Sequence, residues 1–514
     1  MRPFKKQLVI FAAFALTGFS TLWAEKKPNL LVIITDEHNF RTLGCYRDQL
    51  PPEQAFLWGA NAAVETPNID SIARNGVLFN RMYGSAPVCS ASRSSMFTGL
   101  YPNTVGIPNN SNKPGDGKYL HADVTTIADV LRDAGYITGY AGKWHLAEAA
   151  EPDEVWSPAP VDDPSDDYGF TDKKFMFNGG HDKFKGIDAD GNPYRAAKRP
   201  TRIGEDKYGQ PLYEDKRSKN VKFTTDWLAD RAVEFIDGNK DKPFFLVVSI
   251  PDPHTPNSVR EPYDTMFDDV EITLPKTFHD AHNAEDKAKP EWQKPSKTKD
   301  QAKLIEEIRQ YFGMVKCIDD NVGRIIQKLK EDNLMEDTII VFTSDHGDLL
   351  GEHARVNKGT IHEASDKIPF VISKGMSGKS SLIPAGKVIN QAANTTDWMP
   401  TFLSLLEIDC PEVQGRDLSP LITGPKPADW DDVTFVRLGF YAAVTEQYKL
   451  HVVQKDKPWL LDIKADPDEI KNFIDDPAYR DVVKKLAQDL IDYMEKNNDP
   501  NKGVRAQLET LLNS

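Results

Sequence analysis

Cysteine is scarce: Cys45, Cys89, Cys317 and Cys410 are the only four in a chain of 514 residues. Thiols spread so widely are no disulfide framework, and their spacing assigns no pairs. Blocks of lysine and arginine are missing too. The 63 basic residues face 78 acidic ones, for a net charge of −15. With no basic stripe, nucleic acid is excluded as the main partner. An acidic protein acting on an acidic substrate must therefore gather its few cations inside a pocket. No apolar run approaches the roughly 20 residues that a membrane span needs. Internal repeats and coiled-coil heptads are also absent. What remains is a globular chain, long enough for one large α/β domain with a smaller companion.

Residues 1–24 begin with Arg2, Lys5 and Lys6, continue through a short apolar stretch from Leu8 to Leu16, and end in Thr21-Leu22-Trp23-Ala24 before Glu25. That order is that of a secretory signal peptide. A periplasmic or secreted protein is expected, with no membrane span after signal removal.

The run "NLLVIIT" (29–35) reads as a buried parallel strand. Ile127, Val130, Leu131 and Ala134 share one helical face, which Gly135 ends. "YITGYAGKWH" supplies a further strand. A helix at 226–236 precedes "PFFLVVSIPDPH", and a helix at 312–329 precedes "DTIIVFTSDHG". This alternation predicts an α/β fold with a large, mostly parallel sheet flanked by helices. The Pro- and acid-rich segment 148–167 and the Lys- and Pro-rich segment 279–303 read as long loops. After Pro411, short strands ("YKLHVV", "WLLDI") and a final amphipathic helix near 482–494 predict a smaller subdomain with a short antiparallel sheet. The expected division is signal 1–24, catalytic domain 25–410 and C-terminal subdomain 411–514.

Each strand of the main domain runs into a polar cluster: Asp36-Glu37-His38, Lys143-Trp144-His145, Asp252-Pro253-His254 and Asp345-His346. Ligands of open α/β sheets bind beyond the carboxyl ends of the strands, so these distant clusters can share one crevice. Asp36, Glu37, Asp345 and His346 offer an oxygen-rich set that suits Ca²⁺ or Mg²⁺ better than zinc. Calcium is preferred, because nothing in the pattern demands tight octahedral geometry. Converging on such a metal, Lys143, Lys358 and Arg93, with His145 and His254, would neutralise a sulfate or phosphate ester. Cys89 opens "CSASRSSMFTG". The following Ser90-Ala91-Ser92-Arg93 is too polar for a core, so the stretch reads as a site. A thiolate nucleophile at a helix N-terminus is one reading, but an oxidising compartment would readily destroy it.

"CSASRSSMFTG" resembles the signature of the type I sulfatases, C-x-(P/A)-x-R followed by T-G, in which the cysteine becomes Cα-formylglycine. "NLLVIITDEH" is similar to that family's first metal strand, "GKWHL" to its lysine–histidine pair, and "PDPHTP" to its later histidine loop. "TSDHGDLLGEH…NKGT" resembles its second metal and lysine segment, and "NTTDWMPTFLSLL" and "LLDIKADPDEIKNF" its later helix and C-terminal strand. The departures are Ala91 in place of the commonest proline, and Glu37 in place of the second aspartate.

The resemblance implies an alkaline phosphatase-like fold, with the metal held by Asp36, Glu37, Cys89, Asp345 and His346. It implies maturation of Cys89 by a formylglycine-generating or an anaerobic sulfatase-maturating enzyme. The resulting gem-diol attacks sulfur through one hydroxyl while Lys143 and Lys358 hold the sulfate and Arg93 orients the diol. His254 protonates the leaving alcohol, and His145 deprotonates the second hydroxyl so that sulfate is released. The implied substrate is a sulfated polysaccharide or its oligosaccharides, algal (ulvan, carrageenan or fucoidan) or glycosaminoglycan. Trp144, Trp156, Trp292 and Tyr168 are candidates to stack on sugar rings. Two other readings stay open: a phosphodiester or phosphonate monoester hydrolase, and a non-catalytic binder of sulfated glycan.

Overall fold

The computed structural model describes residues 27–111, 113, 115–148, 161, 167–283, 289–296, 300–377, 380 and 382–513. The expected signal segment, Trp156 and most of the 148–167 segment lie outside the described residues. Eight strands form the central sheet, in the order Lys387–Ile389, Val77–Phe79, Phe370–Lys374, Thr338–Ser344, Asn29–Asp36, Phe244–Pro253, Ile137–Lys143 and Asp172–Phe177. Only Phe370–Lys374 runs against its neighbours; the other pairings are parallel.

The strand Asn29–Asp36 shows why helices must cover both faces. Leu30, Val32 and Ile34 belong to one hydrophobic core, while Leu31 and Ile33 belong to the other. Alternate residues point to opposite faces, so an unbroken apolar run needs two cores. Burying each such side chain is worth roughly 1.5–3 kcal/mol. The helices Thr224–Asn239 and Gln301–Glu331 contribute to the first core; Cys89–Thr98, Ile127–Asp133 and Trp398–Leu405 contribute to the second.

Several predicted bounds change. The helix expected at 312–329 begins three turns earlier, because the Asp300 side chain caps it by accepting the Lys303 amide. The segment 279–303, read as loop, includes the end of the helix Lys276–Asn283 and the single turn Glu291–Gln293. The helix expected near 482–494 spans Arg480–Lys496 and is not final: Lys502–Leu512 follows, burying Val504 and Leu508. These two helices pack on a four-stranded antiparallel sheet, Thr434–Leu438, Phe440–Val444, Tyr448–Val452 and Trp459–Asp462.

A second, five-stranded antiparallel sheet went unread in the sequence. It inserts between Asp172–Phe177 and Thr224–Asn239, in the order Pro193–Arg195, Phe184–Ile187, Val221–Phe223, Pro211–Glu214 and Thr201–Glu205. Its signals are two turns, "DADGN" and "DKYGQ". In each, the Asp side chain (Asp188, Asp206) accepts two amides of its own turn, and a glycine (Gly191, Gly209) takes positive φ. Among the described residues no helix is long and apolar enough to cross a membrane. None of the four cysteines is paired there; only Cys410 is exposed.

Candidate active site

The strands ending at Asp36, Lys143, Pro253 and Ser344 are adjacent and parallel, so their carboxyl ends meet. Cys89 enters the same place from the first turn of its helix. All ten residues of Cys89–Thr98 are buried, against the expectation that so polar a run stays out of the core. Local hydrogen bonds make this possible. Ser94 Oγ donates to the Ala91 carbonyl at 2.7 Å, Thr98 Oγ1 to the Ser94 carbonyl at 2.7 Å, and Ser85 Oγ to Ser95 Oγ at 2.8 Å. The Ser90 amide donates to Asn110 Oδ1 at 2.9 Å. Buried polar groups are costly only when unpaired. Gly99, at φ 66°, stops the helix.

Four donors converge. Asp36, Cys89, Asp345 and His346 place one ligand atom each within 4.8 Å of all the others, and all four are buried. Cys89 Sγ lies 3.1 Å from His346 Nε2 and 3.6 Å from Asp36 Oδ1. His346 donates through Nδ1 to the Gly347 carbonyl at 3.0 Å, which turns its Nε2 towards the cluster. Two carboxylates, an imidazole nitrogen and residue 89 thus form a donor set that fits a divalent cation. Glu37 stands apart from those four. Its Oε2 is 3.0 Å from Lys358 Nζ and 3.1 Å from His254 Nε2, while its buried Oε1 has no hydrogen-bond partner. That orphaned oxygen remains available to a cation.

The cations are braced by these acids. Lys143 Nζ is 2.5 Å from Asp36 Oδ2. Arg93 donates through Nε to Asp345 Oδ2 and through Nη1 to the Lys143 carbonyl and Ser249 Oγ, each at 2.8 Å. His254 donates through Nδ1 to the Thr255 carbonyl at 2.7 Å, so its Nε2 accepts from Lys358 at 2.7 Å. His145 is fully buried beside Cys89 and the Ser111 carbonyl, in a left-handed backbone conformation at φ 61°.

The electrostatics follow from this packing. Burial and Asp36 raise the Cys89 thiol, but Lys143, Lys358 and His346 overcome them and hold it well below the ordinary thiol range. Burial raises Asp36, yet Lys143, His254 and His181 leave it well below the usual carboxylate range. Burial, more than Lys358 can offset, pushes Glu37 up to about 8. Burial lowers His346, but Asp345 and Cys89 carry it up to about 9. A divalent cation on the same donors would displace that proton. Burial and Lys143 lower His145, and burial drives His254 down despite Asp36.

One residue of the site escaped the sequence reading. His181 Nε2 lies 2.9 Å from Asp36 Oδ2 and 3.4 Å from Lys143 Nζ, and its ring centroid is 4.3 Å from that of His254. It follows the edge strand Asp172–Phe177, where only Met176 and Phe177 are buried, so no apolar run announced it. Trp144 and Tyr168, suggested as sugar platforms, are core instead, packed together at 5.1 Å. Trp292 lies against His362, His451 and Trp459.

Residues 28–408 match the family model described as Sulfatase, and residues 351–496 match the C-terminal model of N-sulphoglucosamine sulphohydrolase. The chain is 28% identical over 512 residues to an uncharacterized sulfatase YidJ of Escherichia coli, covering 94% of this chain and 90% of that one. It is 24% identical to an N-acetylglucosamine-6-O-sulfatase of Bacteroides thetaiotaomicron, covering 96% and 92%. Its fold superposes with a TM-score of 0.67, at 23% identity, on a protein solved with its substrate D-glucosamine-2-N,6-O-disulfate; the match covers 93% of this chain and 99% of that one.

Proposed function

The chain belongs to the sulfatase family and is a sulfuric-ester hydrolase; from that premise we propose that it removes sulfate from a carbohydrate through a matured Cys89. The substrate class is a sulfated polysaccharide or its oligosaccharides, algal or glycosaminoglycan. The two carbohydrate-sulfate relatives support a sugar substrate. The observation that carries the reading is the convergence on Cys89 of two metal-type carboxylates, His145, His346 and the cations Lys143, Lys358 and Arg93.

Exposure sets the direction of entry. The side chains of His181, His254 and Lys358 are 16%, 17% and 14% exposed, whereas those of Asp36, Glu37, Arg93, Lys143, Asp345 and His346 are at 0%. The sulfate therefore points inward past these three, and the sugar stays at the mouth. Converted to formylglycine, residue 89 would supply a hydrated aldehyde as nucleophile, a conversion needing a formylglycine-generating or anaerobic maturating enzyme. Asp36, Asp345, His346 and residue 89 would hold calcium, with the unpartnered Glu37 Oε1 as a further candidate ligand, and the ion would supply Lewis-acid polarisation of bound oxygens.

The chain's own groups do the rest. Lys143 and Lys358 hold the sulfate oxygens as charge moves to the leaving group. His145, kept neutral by burial and Lys143, accepts a proton from residue 89. The leaving oxygen departs at the mouth, where the hydrogen-bonded Lys358–His254 pair supplies its proton. Arg93 clamps Asp345 to the Lys143 strand and leaves Nη2 for residue 89. The export reading of residues 1–24 places this chemistry in the periplasm or outside the cell.

The test is co-expression with a maturation enzyme. The Cys89 peptide should lose one sulfur and two hydrogens and gain one oxygen, and turnover of defined sulfated oligosaccharides should track the converted fraction. Full activity with an unmodified thiol would end the proposal.

A further inference from the structure

One cavity shares a wall with the site. It measures about 340 Å³ and is lined by His181, Lys183, Phe184, Arg195, Lys198 and Phe223, among others. His181 is the common residue: it reaches Asp36 and lies tilted against His254, and it also faces this cavity. Lys183, two residues on, is held by Asp252 Oδ1 at 2.5 Å and by the His254 carbonyl at 3.4 Å. The cavity is thus braced to the strand end that carries His254. Phe184 and Phe223 pack edge to face at 5.7 Å and supply apolar surface of the kind that takes a sugar's C–H face.

The lining of this cavity carries more basic than acidic side chains. Lys183, Arg195 and Lys198 line it beside one carboxylate, Asp182, and Asp252 holds Lys183 from behind. Asp182 serves Arg195 at 2.5 Å and Lys185 at 3.6 Å, and Asp252 serves Lys183. Lys198 is exposed and, among the described residues, makes no ion pair. A positive excess beside a sulfate-binding pocket, in a chain of net charge −15, has an obvious use for a polyanionic glycan.

We propose that this cavity is a second subsite, which takes an anionic group, sulfate or carboxylate, on the sugar next to the one that loses its sulfate. The proposal rests on the sulfatase reading of the site. It makes the inserted five-stranded sheet, which contributes Phe184, Arg195 and Phe223, the element that selects among sulfated glycans.

The experiment uses Cys89→Ala protein, in which binding is independent of maturation. Calorimetry compares matched disaccharides of heparan, chondroitin and ulvan type. Members of each set share the sulfated sugar and differ in whether its neighbour carries a carboxylate, a sulfate or neither. The preferred set should bind about tenfold tighter with an anionic neighbour, and the advantage should shrink with salt. The carboxylate and sulfate arms tell which anion is read. Lys198→Gln and Arg195→Gln, both at exposed positions, should each remove several-fold of that advantage and leave the neutral-neighbour affinity unchanged. No preference in any set, or equal weakening of all members by the variants, would overturn the subsite. Turnover of 4-nitrophenyl sulfate by matured wild-type protein judges the sulfatase reading separately, since that probe has no neighbouring anion.

Discussion

Replacing Arg93 with methionine would expose how far the site depends on a cation for its own stability. The guanidinium is fully buried and pairs with Asp345 at 2.8 Å, while Nη1 ties the Lys143 carbonyl to Ser249 Oγ. Methionine fills similar space and leaves Asp345 buried beside Asp36 without its partner. Removing one member of a buried pair costs about 3–5 kcal/mol. The two lost hydrogen bonds, charge-assisted through the guanidinium and worth about 1.5–3 kcal/mol each, are broken in the same event and overlap with that cost. A divalent cation on Asp36 and Asp345 offsets the loss by mass action, about 4 kcal/mol at a thousandfold excess over its Kd. Urea unfolding of wild-type and Arg93→Met protein, each in chelator and in calcium, measures this directly. The variant should lose about 3–5 kcal/mol in chelator, and calcium should stabilise it more than it stabilises wild type. Turnover should fall at least about a hundredfold. A loss below about 1 kcal/mol, or a calcium increment no larger than that of wild type, would refute the reasoning.

Chelation should abolish sulfatase activity, and calcium should restore it better than magnesium; restoration by neither would discard the cation assignment. Lys185, buried on the Phe177 ring, is pushed by burial down to about 8 against the pull of Asp182. Lys185→Met should therefore stabilise the protein by about 3 kcal/mol below pH 8, at about 1.4 kcal/mol per pH unit, and the gain should vanish as pH rises to the ordinary lysine value of 10.5. A pH-independent gain in urea midpoints would contradict that. Cys317 packs with Phe223 and Tyr263, so Cys317→Ala should cost about 1 kcal/mol with turnover per folded molecule unchanged; selective loss of turnover would reopen its role.

Much of the site was legible because one rule governs it. Asp36, Lys143, His254 and Asp345 each follow an apolar strand, and parallel neighbouring strands bring such ends together. His181 obeys the same rule, four residues beyond Asp172–Phe177. There, however, the strand is an edge with exposed Asp172 and Lys174, and its polar alternation hid it. The Cys89 helix misled in the opposite sense. Its hydroxyls looked like solvent-facing groups, but each bonds within a turn or to a neighbouring loop, a pairing that composition does not reveal. The inserted sheet depended on turn chemistry, two aspartates each gathering their own amides, and not on any apolar run.

The charge inventory explains why a metal belongs at this centre. Asp36, Glu37 and Asp345 are buried at this centre beside Lys143, Lys358 and Arg93. Each cation is engaged by an acid: Lys143 by Asp36, Lys358 by Glu37 and Arg93 by Asp345. Cations already engaged by acids draw only weakly on a sulfate ester, whose charge is well solvated in water. A divalent cation among the acids would release the lysines to turn towards the sulfate oxygens. Binding, and not only turnover, should then be lost on chelation. Retained sulfate binding by Cys89→Ala protein in chelator, measured by calorimetry, would show that the lysines serve the anion without that release.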